Sequence, residues 1–198
     1  MQRLVGALMV AAVVLQPGAG QESSRLTFEA KVSDLGLQTG SFARNKKPDD
    51  IVQVTLPGHK IAPPRAVPLI RRADAKWASP ESCVDSIRSA NTAGDAAWIL
   101  ENFAPGDQAD VRRLVSDPDL AKRNQDYYKS VSKAEIMALV DLREYRVAVL
   151  REETVQAKAV VVPLTMVKTP AGWRQTNALS KDETFDVLWA AVRSGGMR

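Results

Sequence analysis

Residues 136–177 read IMALVDLREYRVAVLREETVQAKAVVVPLTMVKTPAGWRQTN, and this stretch decides the fold class. Apolar residues alternate with others from 136 to 142 and, after a shift of phase at Arg143 and Glu144, again from 145 to 149. Side chains of a strand point alternately to the two faces of a sheet, and a bulge shifts that alternation by one residue. The pattern therefore predicts one long strand that contains a bulge.

Two further strands follow this first one. Residues 159–167 are mostly β-branched or apolar, and Pro163 among them predicts an edge strand or a bulge, because proline cannot donate a sheet hydrogen bond. The turn sequence TPAG at 169–172 leads into a strand at 173–177 that pairs back as a hairpin. Residues 136–177 therefore predict a three-stranded antiparallel sheet.

Capping signals predict four helices before this sheet and one after it. Ser79 precedes Pro80 and Asp117 precedes Pro118, and a capping side chain followed by proline is typical of a helix start. Asp95 caps a second helix, and a short third helix carries Val111, Leu114 and Val115. The sequence SKDE at 180–183 predicts a capping box and a closing helix over 182–194.

These elements together predict an α+β fold, with N-terminal helices packed on a bent antiparallel sheet of three or more strands and a C-terminal helix. The chain of 198 residues is 45% hydrophobic and 25% charged, which excludes wholesale disorder and collagen-like repeats. After removal of a leader, its length is sufficient for one core.

The chain divides into three segments. Residues 1–20 predict a signal peptide, since Arg3 is followed by an apolar run of about a dozen residues and a small-residue exit, with cleavage between Gly20 and Gln21. We therefore expect a secreted or periplasmic protein with no membrane span in the mature chain. Residues 21–78 predict an extended Pro-rich arm, and residues 79–198 predict the α+β domain.

The arm carries the positive charge of the protein. From residue 21 to 76 it holds ten Lys or Arg against six Asp or Glu, whereas the remainder of the chain is nearly neutral. Alternating apolar residues predict short strands at 26–32 and 51–56, and residues 58–68 predict a partly mobile segment. Nucleic acid is not an expected partner, because the folded part lacks a dense basic stripe.

Residues that could form a reactive centre are few. His59 and Cys83 are the only His and Cys in the chain, so we expect no metal site and no cofactor. We predict that His59 is exposed in a loop. Cys83 lies on the same helical stripe as Val84 and Ile87, so we predict that its thiol is buried and unreactive. No catalytic residue is assigned, and we expect that the protein is not an enzyme.

Aromatic residues on the predicted core faces are the candidates for lining a ligand pocket, since Trp and Tyr combine an apolar body with a polar tip. The candidate pocket residues are Trp98, Tyr127, Tyr128, Asp141, Tyr145 and Trp173. Asp141 and Tyr128 would form a proton-transfer pair if both faced one apolar cavity, because such a cavity raises the pKa of a carboxylate, as in ketosteroid isomerases.

The order of helices and strands over residues 79–177, with its bulged strand and the hairpin that ends at Trp173 and Arg174, resembles the nuclear-transport-factor-2-like superfamily of SnoaL-like, cystatin-like α+β domains. That resemblance implies a cone-shaped pocket between helices and sheet, and a non-catalytic ligand-binding or interaction role for an exported member. The closing helix at 182–194 and the absence of a strand before the third helix depart from the family pattern.

Three hypotheses follow for function. The first is an exported soluble non-catalytic domain that binds a small apolar ligand or a protein partner of the cell envelope. The alternative is a small proton-transfer or hydrolytic enzyme that uses Asp141 and Tyr128. The third is an envelope adaptor that docks through its Pro-rich basic arm.

Overall fold

A six-stranded antiparallel sheet forms the centre of the computed structural model, which describes residues 24–37, 40–155 and 159–198. The predicted signal peptide lies outside the described residues. The strands follow one another in chain order across the sheet: β1 (Arg25–Lys31), β2 (Ile51–Ala66), β3 (Val131–Leu142), β4 (Tyr145–Thr154), β5 (Val160–Thr169) and β6 (Gly172–Gln175).

The described residues also form five α-helices: α1 (Pro80–Ala93), α2 (Ala96–Glu101), α3 (Gln108–Ser116), α4 (Pro118–Ser130) and α5 (Glu183–Ser194). The predicted α+β class, antiparallel sheet and C-terminal helix are confirmed. Helices at the N-terminal end of the described chain are not shown, since β1 and β2 come first; the four helices α1 to α4 lie between β2 and β3, where residues 79–130 were predicted to be helical.

Helices cover both faces of the sheet. On one face, Val187, Leu188 and Ala191 of α5 pack in a buried cluster with residues of β1 to β4. On the other face, Cys83, Val84 and Ile87 of α1 pack against β3, β4 and β5. Each fully buried Val, Leu or Ile side chain stabilises the fold by roughly 1.5–3 kcal/mol. The result is three layers held by two apolar interfaces.

The predicted single long strand with a bulge is wrong, because residues 131–154 form a hairpin. Leu142 of β3 pairs with Tyr145 of β4, and Arg143 and Glu144 form the turn between them. Arg143 has φ 57°, a left-handed conformation in which glycine or asparagine is usual. The shift of phase in the sequence therefore marks a reversal of chain direction.

The predicted arm contributes directly to this sheet. β1 pairs with β2 from Arg25 to Lys31, and β2 continues to pair with β3 at Gly58 to Lys60 and again at Arg65 and Ala66. Most of the segment predicted as partly mobile is therefore strand. His59, predicted as an exposed loop residue, is instead half-buried in β2 opposite Leu139.

Most predicted helix starts are confirmed. The side chains of Ser79, Asp95 and Asp117 accept hydrogen bonds from the backbone N–H groups at the starts of α1, α2 and α4. The capping box predicted at Ser180 is wrong, since Asp182 caps α5 by accepting from the N–H of Phe185. Its supposed partner Glu183 instead accepts from Ser41.

Candidate functional site

A mainly apolar cavity lies among the four helices that precede β3. Its volume is about 540 Å³, within the range of small-molecule sites in proteins. We call it the helix cavity. It is lined by Asn91, Gly94, Ala96, Ile99, Phe103, Val111, Leu114, Val115, Leu120, Ala121, Lys122, Asn124, Gln125 and Asn177.

Short helices with apolar residues on more than one face create this cavity. Ile99 and Val111 are buried in a cluster that forms its floor, whereas Leu114 remains 52% exposed at its wall. Of the stripe of α3, Val111 is buried and Val115 is partly buried, so Leu114 is the member left open to water. Apolar surface left in a concave site favours binding of apolar molecules, because binding removes that surface from water.

The polar groups of the helix cavity are largely engaged with each other. The Asn124 side-chain N–H donates to the Asn91 side-chain oxygen at 2.7 Å, and the Gln125 side chain donates to the Ala93 carbonyl at 2.9 Å. Lys122 is paired with Asp126 at 2.5 Å. The two amide hydrogen bonds tie α4 to the end of α1, the ion pair lies within α4, and the cavity wall is left mainly apolar.

A second concave site lies between α5 and β5. Its volume is about 470 Å³, and we call it the edge groove. It is lined by Gly36, Pro163, Leu164, Thr165, Gln175, Thr176, Asn177, Leu179, Ser180, Asp182, Phe185, Asp186, Trp189 and Arg193. The Phe185 and Trp189 rings meet edge to face at 5.9 Å, and Trp189 is 37% exposed.

The predicted pocket aromatics do not meet in one cavity. Trp98 is buried among the helices, and its indole N–H donates to Ser86 at 2.8 Å. Tyr145 packs at the edge of the α5 core, and Trp173 packs on the α1 side of the sheet. These side chains belong to three separate packed clusters, and none of them lines the helix cavity or the edge groove.

The predicted pair of Asp141 and Tyr128 is also separated. Asp141 forms an ion pair with Arg146 at 2.5 Å, and its side chain is 39% exposed. Tyr128 instead lies beside the buried Glu152, in a space of about 10 Å³ between α1 and the sheet. That space admits about one water molecule and no substrate.

Glu152 was not among the predicted site residues, although it collects several polar groups. The Tyr127 hydroxyl donates to its carboxylate at 2.5 Å, and the Tyr127 ring meets Tyr128 edge to face at 5.4 Å. Burial raises the pKa of both phenols, and the Glu152 charge raises it further. Protonated phenols donate hydrogen bonds and are not bases at neutral pH, so this cluster supports packing of α4 on the sheet.

Cys83 is fully buried and free. Burial raises the pKa of its thiol to about 12, and the nearby Arg174 guanidinium lowers it only partly. Because the thiolate is the reactive form, this cysteine is unreactive at neutral pH.

The residues of the helix cavity were missed as a site by sequence reasoning. The signal present in the sequence was the apolar stripe of α3 together with Ile99 and Leu120, which predicts helix packing as readily as a cavity. Among the described residues, no group of three or more His, Cys, Asp or Glu side chains is placed to hold a metal ion. Within the same ranges, no helix has both the length and the apolar character needed to cross a bilayer.

Comparison with models of protein families, with curated proteins and with solved structures found no match to this chain.

Proposed function

We propose that the protein is an exported, non-catalytic binding protein that takes up a small apolar molecule in the helix cavity. The observation that carries the proposal is a cavity of about 540 Å³ whose wall is mainly aliphatic and partly open to water. An apolar ligand that fills it would remove both its own surface and that of Leu114 from water, at roughly 25 cal/mol per Å².

The character of the ligand follows from the lining. Ile99, Val111 and Leu120 offer no hydrogen bonds, so the body of the ligand is expected to be hydrocarbon or aromatic. The amides of Gln125 and Asn177 lie in the same lining and could orient one polar group of the ligand. A strongly charged ligand is disfavoured, since Lys122 is already paired with Asp126.

The proposed resemblance to the nuclear-transport-factor-2-like superfamily concerns residues 79–177. The succession of four helices and an antiparallel meander supports it, while β1, β2 and α5 are additional elements. The pocket that the resemblance implies, between helices and sheet, corresponds to the filled interface of Val84, Ile87 and Leu150. The site we propose therefore lies among the helices, and the enzymatic alternative has less support because Asp141 is paired with Arg146.

Fluorescence titration with 1-aminoanthracene, a neutral apolar probe, tests this proposal. We expect saturable binding by the parent protein and at least tenfold weaker binding by Leu114→Glu, because the variant places a charge in the cavity wall. Leu114 is already 52% exposed, so the substitution is expected to leave the fold intact.

Leu69→Glu is the matched control, since Leu69 is similarly exposed at 57% and does not line the helix cavity. It is expected to bind the probe as the parent does. Absence of saturable binding by the parent, or equal binding by Leu114→Glu and the parent, would refute the proposed function.

A further inference from the structure

The edge groove differs in chemistry from the helix cavity, because one of its walls is aromatic and the rest is polar. Phe185 and Trp189 share one face of α5, and their rings meet edge to face at 5.9 Å. Phe185 is buried, whereas Trp189 is 37% exposed although Leu188 and Ala190 on either side of it are buried. The indole of Trp189 is therefore a supported ring with part of its surface open to the groove.

Neutral polar side chains form another part of the lining. Thr165 pairs with Val147, which belongs to the core beneath α5, so the Thr165 hydroxyl projects toward α5. Asn177 and Ser180 follow β6 and line the same groove. Within the described ranges, the side chains of Thr165, Asn177 and Ser180 have no hydrogen-bond partner. Hydroxyl and amide groups both donate and accept, so these side chains can bind ligand groups of either kind.

The charged groups of the groove balance one another. Asp182 is paired with Arg143 at 2.6 Å, and both oxygens of Asp186 accept from backbone N–H groups. Arg193 lines the same groove, so its positive charge stands with the negative charge of Asp186. Since charges of opposite sign offset each other at a distant ligand, neither an anion nor a cation is favoured. The groove therefore suits a neutral ligand that is rich in polar groups.

A sugar ring has the chemistry that these walls would recognise. One face of a pyranose ring presents C–H groups, and its hydroxyls both donate and accept hydrogen bonds. The face of an indole ring is negatively polarised, so it attracts the positively polarised C–H groups. A hydrocarbon ligand would instead cover the polar groups of Thr165 and Asn177 without giving them partners, which costs free energy. The volume of about 470 Å³ lies within the range of small-molecule sites.

We propose that the edge groove binds a neutral carbohydrate, with the face of one sugar ring stacked on Trp189. Its hydroxyls form hydrogen bonds with the side chains of Thr165, Asn177 and Ser180. This site is distinct from the helix cavity, because the two linings share only Asn177. The carbohydrate site therefore does not depend on the apolar ligand proposed above.

A glycan array that carries neutral, sialylated and sulfated oligosaccharides tests this site with the purified protein. We expect saturable binding to at least one neutral glycan, and isothermal titration calorimetry with that glycan then measures its affinity for the parent and for variants. Absence of binding to every neutral glycan would overturn the proposal. Stronger binding to sialylated or sulfated glycans than to their neutral counterparts would also overturn it.

Two substitutions of Trp189 separate ring stacking from the filling of space. Trp189→Leu removes the flat ring and is expected to weaken binding of the glycan about tenfold, whereas Trp189→Phe keeps a ring and should stay within about threefold of the parent. Both variants keep an apolar side chain at a partly exposed position, so the fold is expected to remain intact. Equal affinities of these two variants for the glycan would contradict stacking on Trp189.

A pair of serine variants tests the polar wall. Ser180→Ala is expected to weaken binding of the glycan about threefold, because it deletes one hydrogen bond. Ser132→Ala, at an exposed position of β3 outside the groove, should bind as the parent does. Equal affinities of the two serine variants would contradict the proposed contacts.

Leu114→Glu distinguishes this proposal from the proposed function, since Leu114 lines the helix cavity and not the edge groove. It is expected to bind the glycan with the affinity of the parent while it loses 1-aminoanthracene. Loss of glycan binding in Leu114→Glu together with unchanged binding in Trp189→Leu would assign the glycan to the helix cavity and overturn the edge-groove site.

Discussion

Asn102 joins three parts of the molecule through a single buried side chain. Its side-chain oxygen accepts from the indole N–H of Trp77 at 2.8 Å and from the hydroxyl of Ser86 at 2.7 Å. The Ser86 hydroxyl in turn accepts from the indole N–H of Trp98. The main-chain carbonyl of Asn102 accepts from the backbone N–H of Gln175 in β6. A buried network in which each group has a partner fixes the helices to the sheet at one position.

Asn102→Ala is expected to destabilise the protein by about 2–4 kcal/mol, because it leaves two donors, on Trp77 and Ser86, without their acceptor in the interior. Urea unfolding followed by circular dichroism measures this change. Ser132→Ala is the control, since it deletes one hydrogen bond at an exposed site and should cost less than about 0.5 kcal/mol. Equal costs for the two variants would contradict the assigned role of Asn102.

At the scale of elements, the first turn of α5 holds the loop that follows β1. Asp186 accepts from the N–H groups of Gly36 and Leu37, and Glu183 accepts from both the hydroxyl and the N–H of Ser41. Carboxylates in the first turn also interact favourably with the helix dipole. The loop is therefore held by two carboxyl side chains of α5.

The hydrogen bonds from Ser41, its hydroxyl first and then its N–H, lower the pKa of Glu183 below its ordinary value of 4.5. A carboxylate with a lowered pKa in the folded state stabilises the protein above its unfolded pKa. That contribution is lost as the pH falls through the folded pKa. In urea unfolding between about pH 6 and pH 3, Glu183→Gln is expected to lose stability less steeply than the parent.

Glu144→Gln is the comparison for this measurement, since Glu144 is exposed in the turn between β3 and β4. It should retain the acid dependence of the parent protein. If Glu183→Gln follows the parent curve throughout this pH range, the loop is held by other contacts.

Helix boundaries could be predicted because their signals are local. A capping oxygen needs only the N–H groups two or three residues ahead, as Ser79 and Asp117 illustrate. The turn at Arg143 and Glu144 lacked the Asn-Gly or Asp-Gly signal of a two-residue hairpin, so its shift of phase indicated a bulge equally well. The partner of Glu183 is Ser41, 142 residues away, and no local pattern contains that information.

At the scale of the whole molecule, both candidate sites depend on how completely neighbouring elements cover one another. The helix cavity exists because four short helices leave a gap, and the edge groove exists because β6 ends before it covers β5. Composition and periodicity identify the apolar residues on each element, but not which of them remain uncovered. Trp98, Tyr145 and Trp173 were therefore assigned to a pocket although they pack within or against the apolar clusters.

The sheet also depends on the strap, residues 196–198, that covers β1. Met197 packs at the edge of the α5 core, and an added Cβ at Gly196 would clash with the Glu29 carbonyl, so only glycine allows this close approach. Removal of residues 196–198 would expose the outward N–H and carbonyl groups of Thr27 and the N–H of Glu29.

Deletion of residues 196–198 is expected to produce concentration-dependent self-association, because an uncovered outer strand pairs readily with another chain. Light scattering over a range of protein concentrations measures it, and Gly196→Val should reproduce it by displacing the strap. Arg198→Ala is the control: it removes only an ion pair with Glu29 in which the Arg198 side chain is 75% exposed, so it should leave the mass unchanged. If the truncated protein instead stays in the same oligomeric state as the parent at every concentration, and the amides of Thr27 and Glu29 stay protected from hydrogen exchange, another segment covers β1.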